Sequence, residues 1–566
     1  MFLKKLSIYK GDTLVREPIV FRKGLNLIVD EDTNVATESG NNIGKTTVLK
    51  LVDFCLGGDG HNIYIDPETK NINQNVKDFL YADDTLIKLE LVDDLETTTK
   101  DIIIERNFAQ GIKQIRKING KNIPSIKNFI YELGIVLFGN KLEKPSLRQI
   151  LSKFIRYGVN EINNVLHVLH SGKVSEYEAL YFFLLGIPIK DGAKKISLER
   201  SLDVEKKLKN RLQGNDSESK LNQTIRLLDQ DILKLEEQKN KIEFQPQYKE
   251  DIQALDSVKK EINFVCSEIS RLQFRLSLIE KSKASIESQY ADINIDELKS
   301  IYSDAKKFIP TLHKSFESVL TFHNEMIESK IQFLLKSVPE INENINILTN
   351  SLQSLTHQEK QLSNKLINSG IFASYDDITV NLYELYREKG VTQERLTRLS
   401  GVINEISSIE TELEKINNSI LGLSEQIEQK LSIFNNYFSS YSYDVYGERY
   451  LLSLKDKDEK DKAFGFQISS IENNVGTGKK KSLIAIFDLS YLAFSITEKV
   501  DFLHFVLHDQ LETIHSNQLL ALMNIANSIN GQYIVPILKD RIPVELENID
   551  DYVILQLSQK RKLFNI

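Results

Sequence analysis

Ser39-Gly40-Asn41-Asn42-Ile43-Gly44-Lys45-Thr46-Thr47 is the stretch of this sequence best suited to chemistry. It follows an apolar run, Leu25–Val29, and opens a helical pattern, Thr47–Phe54. Strand, glycine-bearing loop and helix in that order make a phosphate-binding loop. Gly40 and Gly44 let backbone N–H groups close on phosphate oxygens, with Asn41, Asn42 and Thr47 in the same cradle, and the helix N-terminus adds its dipole. Lys45 supplies a point charge to the β- and γ-phosphates, and the Thr46 hydroxyl is a ligand for Mg2+. Ser39 stands where the G-x-x-x-x-G-K-[ST] pattern has its first glycine.

Such a loop needs an acidic metal partner at the end of another apolar strand. Phe502-Leu503-His504-Phe505-Val506-Leu507-His508-Asp509 provides it, with Asp509 expected to hold the metal through water. Gln510 comes next; it can orient a water but cannot take its proton. Slow hydrolysis is the expectation.

The elements that must position these residues fall into three stretches. Residues 1–192 mix periods, with strand patterns at Leu3–Tyr9, Leu25–Val29, Leu86–Leu91 and Ile102–Glu105 and helical ones at Thr47–Phe54 and Ser125–Leu137. Residues 193–436 carry heptad-like runs, among them Leu221 to Ile242, Leu255 to Ile286, Ile341 to Leu366 and Val402 to Ile427. Breaks are expected near 214–219, at Pro246, over 290–310 and over 369–377, where Asp376-Asp377 is read as a fresh N-cap. One continuous helix is expected from Thr392 to Phe434. Residues 437–566 return to mixed periods, with strands at Phe464–Ile468, Phe502–Leu507, Gln532–Leu538 and Tyr552–Leu555 around an apolar helix, Ser482–Ile496. The fold class that follows is α/β: one P-loop head built from both chain ends, with an inserted arm of antiparallel helices.

Composition bounds the rest. Cys55 and Cys266 are the two cysteines of 566 residues, which excludes a disulfide scaffold and a four-cysteine zinc cage. The start of the sequence lacks a signal-peptide pattern, and no apolar stretch reaches the length of a membrane span. A cytoplasmic protein that does not meet the membrane is expected. With 72 Lys+Arg against 80 Asp+Glu the net charge is −8, so contact with nucleic acid requires a local basic patch.

In MFLKKLSIYKG…GLNLIVDE, in SGNNIGKTT and in FVLHD the chain resembles coiled-coil ABC ATPases of the SMC/RecN/RecF group. Within that group it looks most like the short-armed heads of bacterial anti-phage defence systems of the Lamassu and ABC-three-component kind. The resemblance implies an ABC-type head that uses ATP and Mg2+. It places Asn474-Val475-Gly476-Thr477-Gly478-Lys479 where the ABC signature lies, with Gly476 and Lys479 replacing its Ser and Gln. It offers Gln149 as the Q-loop glutamine, while Arg148 and Arg156 nearby are equally readable as structural. The switch histidine is missing: Tyr533–Leu538 is followed by Lys539-Asp540.

The group's plan implies a homodimer in which each ATP lies between one head's loop and the other head's Gly476, Thr477 and Gly478. It further implies double-stranded DNA or DNA ends, a small accessory subunit and an effector subunit such as a nuclease as partners. Three roles fit: a defence ATPase that controls an effector, a repair or chromosome-organising factor of the RecN/SMC kind, and a scaffold that binds ATP with little turnover.

Overall fold

The computed structural model describes all residues except 32–42, 67–70, 98–99, 110, 140–142, 170–171, 188, 190, 215, 242–248, 292–325, 367–371, 456–463, 472–479 and 501–502. The chain divides into two compact units, Met1–Glu199 with Glu412–Ile566, and Arg200–Thr411.

The first unit is built on two sheets. One is antiparallel and centred on Phe2–Lys10, Thr85–Val92 and Asp101–Arg106, whose alternating apolar residues face the core. The other is parallel, in the order Val553–Leu557, Gly24–Asp30, Gln532–Pro536, Phe505–His508, Ile155–Arg156. Its inner strands are buried on both faces, so Leu25, Leu27, Ile28, Val29, Phe505, Val506 and Leu507 read as continuous apolar runs. Strands from residues below 157 and above 504 thus share one sheet, and neither chain end can complete it alone.

Helix Lys45–Cys55 packs against strands of both sheets and buries Val48, Leu49, Leu51, Val52 and Phe54 there. The sheets are also stitched by Gln532, whose buried amide accepts from Leu3 N and donates to Leu3 O, both at 2.8 Å. That side chain imitates a strand neighbour, satisfying backbone groups that would otherwise be buried unpaired.

Helix Ser424–Tyr446 lies in this unit, although the heptad pattern suggested an arm running to about 436. The reason is aromatic. Phe434 and Phe438 pack on Phe487 of helix Lys480–Thr497, with ring centroids 5.0 and 5.5 Å apart. The expected continuous helix also breaks: one helix ends at Leu421 and the next begins at Ser424, with Gly422 N bonded back to Asn418 O at 3.0 Å.

The second unit is helical. Asp216 pairs with Arg395, Asp229 with Lys389 and Glu236 with Tyr386, so Glu218–Asn240 runs antiparallel to Phe372–Leu421. Asp251 pairs with Lys365 and Lys259 with Glu359, so Lys249–Ala291 runs antiparallel to Val338–Leu366. Leu212, Leu221 and Leu399 form one small core, and Leu255, Leu366 and Tyr375 another. The break near 214–219 is observed, with Ser217 capping the next helix through Lys220 N at 3.1 Å. Asp376 and Asp377 are not an N-cap. They sit inside helix Phe372–Leu421, beyond its first turn. The break read at Pro246 lies outside the described residues, and so does the one read over 290–310 apart from its first two positions, which end helix Lys249–Ala291.

Candidate functional site

Residues 463 apart in sequence meet at the carboxyl edge of the parallel sheet. Thr46 Oγ1, in the first turn of Lys45–Cys55, donates to Asp509 Oδ1 at 3.3 Å. Asp509 directly follows the strand Phe505–His508, and its N–H donates to Arg156 O at 2.9 Å. One strand, Gln532–Pro536, separates the strand before Glu31 from the strand before Asp509. Clefts outside the carboxyl ends of parallel strands are where such sheets bind ligands.

Gly44 caps the helix with φ of 104°, a conformation that only glycine adopts without strain. A Cβ there would also stand 2.8 Å from Leu563 Cβ. Lys45 Nζ lies 3.5 Å from Asp30 Oδ1, at the end of the preceding strand, and Lys45 is 8% exposed, so a long contact to a carboxylate holds its charge at the site. Asp30 Oδ1 also accepts from Lys539 N at 2.8 Å, tying the end of the next strand to the same carboxylate.

Burial raises the Asp509 carboxyl above its ordinary value, and the Gln510 N–H, the Thr46 hydroxyl and nearby Lys50 pull it back. A half-buried carboxylate beside a hydroxyl is a hard-oxygen pair that a divalent cation would stabilise, so the residues fit Mg2+. Gln510 has φ of 63°, and its Oε1 lies 3.5 Å from Lys481 Nζ. Glu512 does not turn toward Asp509; its Oε1 accepts from Leu538 N at 2.9 Å.

Gln149 is brought to a different task. Its Oε1 accepts from Ser146 N at 2.9 Å while Ser146 Oγ accepts from Gln149 N, a capping box on helix Leu147–Phe154. Arg148 forks onto Asp53 at 2.6 and 3.1 Å. Arg156 is fully buried and forks onto Asp488 of helix Lys480–Thr497, with Nη1 donating to Glu161 O at 2.6 Å and Asn164 O at 3.1 Å. Gly40, Asn41, Asn42, Gly476, Thr477 and Gly478 lie outside the described residues. Among the described residues no group of three or more His, Cys, Asp and Glu side chains is placed to hold a metal by itself.

The sequence reading missed Asp30 and the Arg156–Asp488 pair. Asp30 carried a signal, an acid at the end of the strand that leads into the loop. Asp488 carried none, because a lone acid in an apolar helix has no pattern that names its partner.

Fold and site together describe a P-loop α/β head and a helical second unit. Residues 441–566 match a family model described as an uncharacterised protein conserved in bacteria. The chain is 22% identical to "Uncharacterized protein YydD" of Bacillus subtilis (strain 168), over 90% of this chain and 87% of that one. It is 23% identical over 279 residues to the chromosome partition protein Smc of Mesomycoplasma hyorhinis, covering 47% of this chain and 25% of that protein. Among solved structures it is similar to an Smc head domain with a coiled coil and joint from Pyrococcus yayanosii, at 15% identity and TM-score 0.35, over 94% and 92% of the two chains. A recombination mediator protein RecF–ATP structure is similar at 10% identity and TM-score 0.30, over 96% and 93%. With scores this low, the fold assignment rests on the strand order and the residues above. No helix among the described residues is long and apolar enough to cross a membrane.

Proposed function

We propose that this chain is an SMC/RecF-like ATPase that binds MgATP at the Lys45 loop and Asp509. The observation that carries this is the 3.3 Å contact of Thr46 with Asp509, which joins the two chemistry-bearing segments at one sheet edge. Lys45 would hold the β- and γ-phosphates, and Thr46 and Asp509 would hold Mg2+, which supplies charge neutralisation when bound. Gly40, Asn41, Asn42, Gly44 and Thr47 would complete the phosphate cradle.

Two chains would close on two nucleotides, each head offering Gly476, Thr477 and Gly478 to the other's ATP. The similarity to a chromosome partition protein supports DNA as the partner, bound as duplex or ends. The finer role we favour is a cytoplasmic defence ATPase that holds an accessory subunit and an effector, such as a nuclease, until DNA is sensed. Repair or chromosome organisation is the other role that the same chemistry serves.

Light scattering with and without MgATP tests the reading. The wild-type chain should dimerise on ATP and Lys45→Ala should not; equal behaviour of the two would contradict it. A second reading, ATP as a structural ligand with little turnover, is favoured by Gln510, whose side chain offers an amide where a base is needed. Under that reading Gln510→Glu raises phosphate release by at least about tenfold, within the usual worth of a general base. An unchanged rate would place water activation elsewhere.

A further inference from the structure

The turn after the middle strand of the parallel sheet hangs from two carboxylates. Strand Gln532–Pro536 lies between Gly24–Asp30 and Phe505–His508, and Lys539–Arg541 forms the turn that follows it. Lys539 N donates to Asp30 Oδ1 at 2.8 Å, and Leu538 N donates to Glu512 Oε1 at 2.9 Å. Asp30 ends the strand on one side, and Glu512 lies in the turn Leu511–Thr513, beyond the strand on the other. Two consecutive N–H groups are thus satisfied from opposite neighbours. The turn also closes on itself, with Arg541 N donating to Leu538 O at 3.0 Å and Ile542 N to Lys539 O at 3.2 Å.

Asp30 has a second partner. The same Oδ1 lies 3.5 Å from Lys45 Nζ, and the two side chains are only 15% and 9% exposed. One carboxylate oxygen therefore serves both the Lys45 ammonium and the first N–H of the turn, with little water at hand to replace either. Bonds with an ionised partner are the strong ones, so neither is given up without a competitor. An anion drawn to Lys45 is such a competitor. Two anions in contact with one ammonium stand at most about 6–7 Å apart. At an effective dielectric of about 20, like charges at that separation cost at least about tenfold in affinity.

Resting on the nucleotide reading above, we propose that Asp30 is a built-in counter-ion that competes with a ligand's phosphate for Lys45 and passes the outcome to the Leu538–Arg541 turn. Phosphate at Lys45 repels the Asp30 carboxylate, Lys539 N–H loses its acceptor, and the turn loosens on the Asp30 side while Glu512 still holds Leu538. Asp30 thus weakens phosphate binding and makes it felt on the next strand.

The test is equilibrium binding of MgATP and of pyrophosphate to the full chain, with amide hydrogen exchange at Leu538 and Lys539. Asp30→Asn keeps an acceptor for Lys539 N and removes the charge. It should tighten MgATP by about tenfold, and pyrophosphate by a similar factor. In the wild type, saturating MgATP should speed exchange at Lys539 by at least about threefold and leave Leu538 within about twofold; in Asp30→Asn the Lys539 response should vanish. The wild-type exchange needs no variant, so it decides the coupling even if Asp30→Asn does not fold. Unchanged or weaker MgATP binding in folded Asp30→Asn, with the wild type binding, would overturn the competition and leave the nucleotide reading standing. A gain for MgATP with none for pyrophosphate would overturn it too, because charge alone is claimed to act. Wild-type Lys539 exchange that ignores MgATP would overturn the coupling to the turn. If the wild-type chain binds neither ligand, the nucleotide reading falls, and the proposal with it.

Discussion

Breaking the Arg156–Asp488 pair is the sharpest test of how the head holds Asp509 in place. Arg156 is fully buried and Asp488 is 3% exposed, and the guanidinium also satisfies the carbonyls of Glu161 and Asn164. Its own carbonyl fixes the Asp509 N–H at 2.9 Å. Arg156→Met leaves a buried carboxylate with His508 Nδ1 at 4.0 Å, and burial lowers the pKa of that imidazole, which disfavours the cation that would replace the guanidinium. Losing one partner of a buried pair costs about 3–5 kcal/mol. Replacing both, as Arg156→Met with Asp488→Leu, removes the stranded charge and takes one hydrogen bond from each of the two carbonyls, about 2–4 kcal/mol in all. The two changes should therefore couple by at least about 2 kcal/mol in a double-mutant cycle. The chain has no tryptophan, and its two units need not unfold together, so a bulk fluorescence melt is the wrong assay. Native-state hydrogen exchange at the amides of Phe505–His508 reads the relevant unit directly. Additive effects of the single changes, within about 0.5 kcal/mol, would refute the claim that this pair acts as one fastening.

Other perturbations follow from single contacts. Gly44→Ala adds a left-handed strain of about 1–2 kcal/mol and pushes on Leu563, so MgATP affinity should fall by at least about tenfold; wild-type affinity in a titration would contradict the loop geometry. Burial pulls His504 down to about 4 from its ordinary 6.5, so the unfolded chain takes up a proton first as pH falls. Stability from this group is therefore intact above about 6.5 and lost between 6.5 and about 4, by at most about 3 kcal/mol, and His504→Leu should flatten that part of the acid limb in denaturation against pH. An identical acid limb in the variant would assign the loss to other groups. In the second unit Arg395 bonds Leu212 O at 2.8 Å, Gln213 O at 2.6 Å and Asp216 at 2.7 Å, closing the end of one helix from another. Arg395→Ala should cost about 2–3 kcal/mol locally and speed proteolysis near Gly214 severalfold; an unchanged cleavage rate would show that the turn holds by itself.

The parts legible in the sequence are those that local chemistry dictates. Gly44, Lys45 and Thr46 stand out because a glycine before Lys-Thr opens a helix there, and Asp509 because an apolar strand ends there; the contact of Thr46 with Asp509 joins the two segments. The strand of the last mixed segment read as Gln532–Leu538 is observed as Gln532–Pro536, ending one residue before Ile537 N bonds to Ile28 O. The parts that were hidden depend on partners far along the chain. Period alone cannot tell a residue buried against an arm helix from Phe434, buried against Phe487 in the head, so the end of the heptad pattern overran the unit boundary. Gln149 sits where a nucleotide-sensing glutamine is expected, yet three residues after Ser146 it is also placed for a capping box, and that local bond is the one formed. Gly422 does not by itself signal the break at 421–424, because a single glycine in a helical pattern is usually tolerated.

The central claim is that segments 463 residues apart build one metal–nucleotide site, and Mg2+-dependent ATP binding measures it most directly. Thr46→Val and Asp509→Asn should each remove most of the gain in affinity that Mg2+ brings, and the double variant should lose no more than either alone. Asp509→Asn with the Mg2+ dependence of the wild type would contradict it.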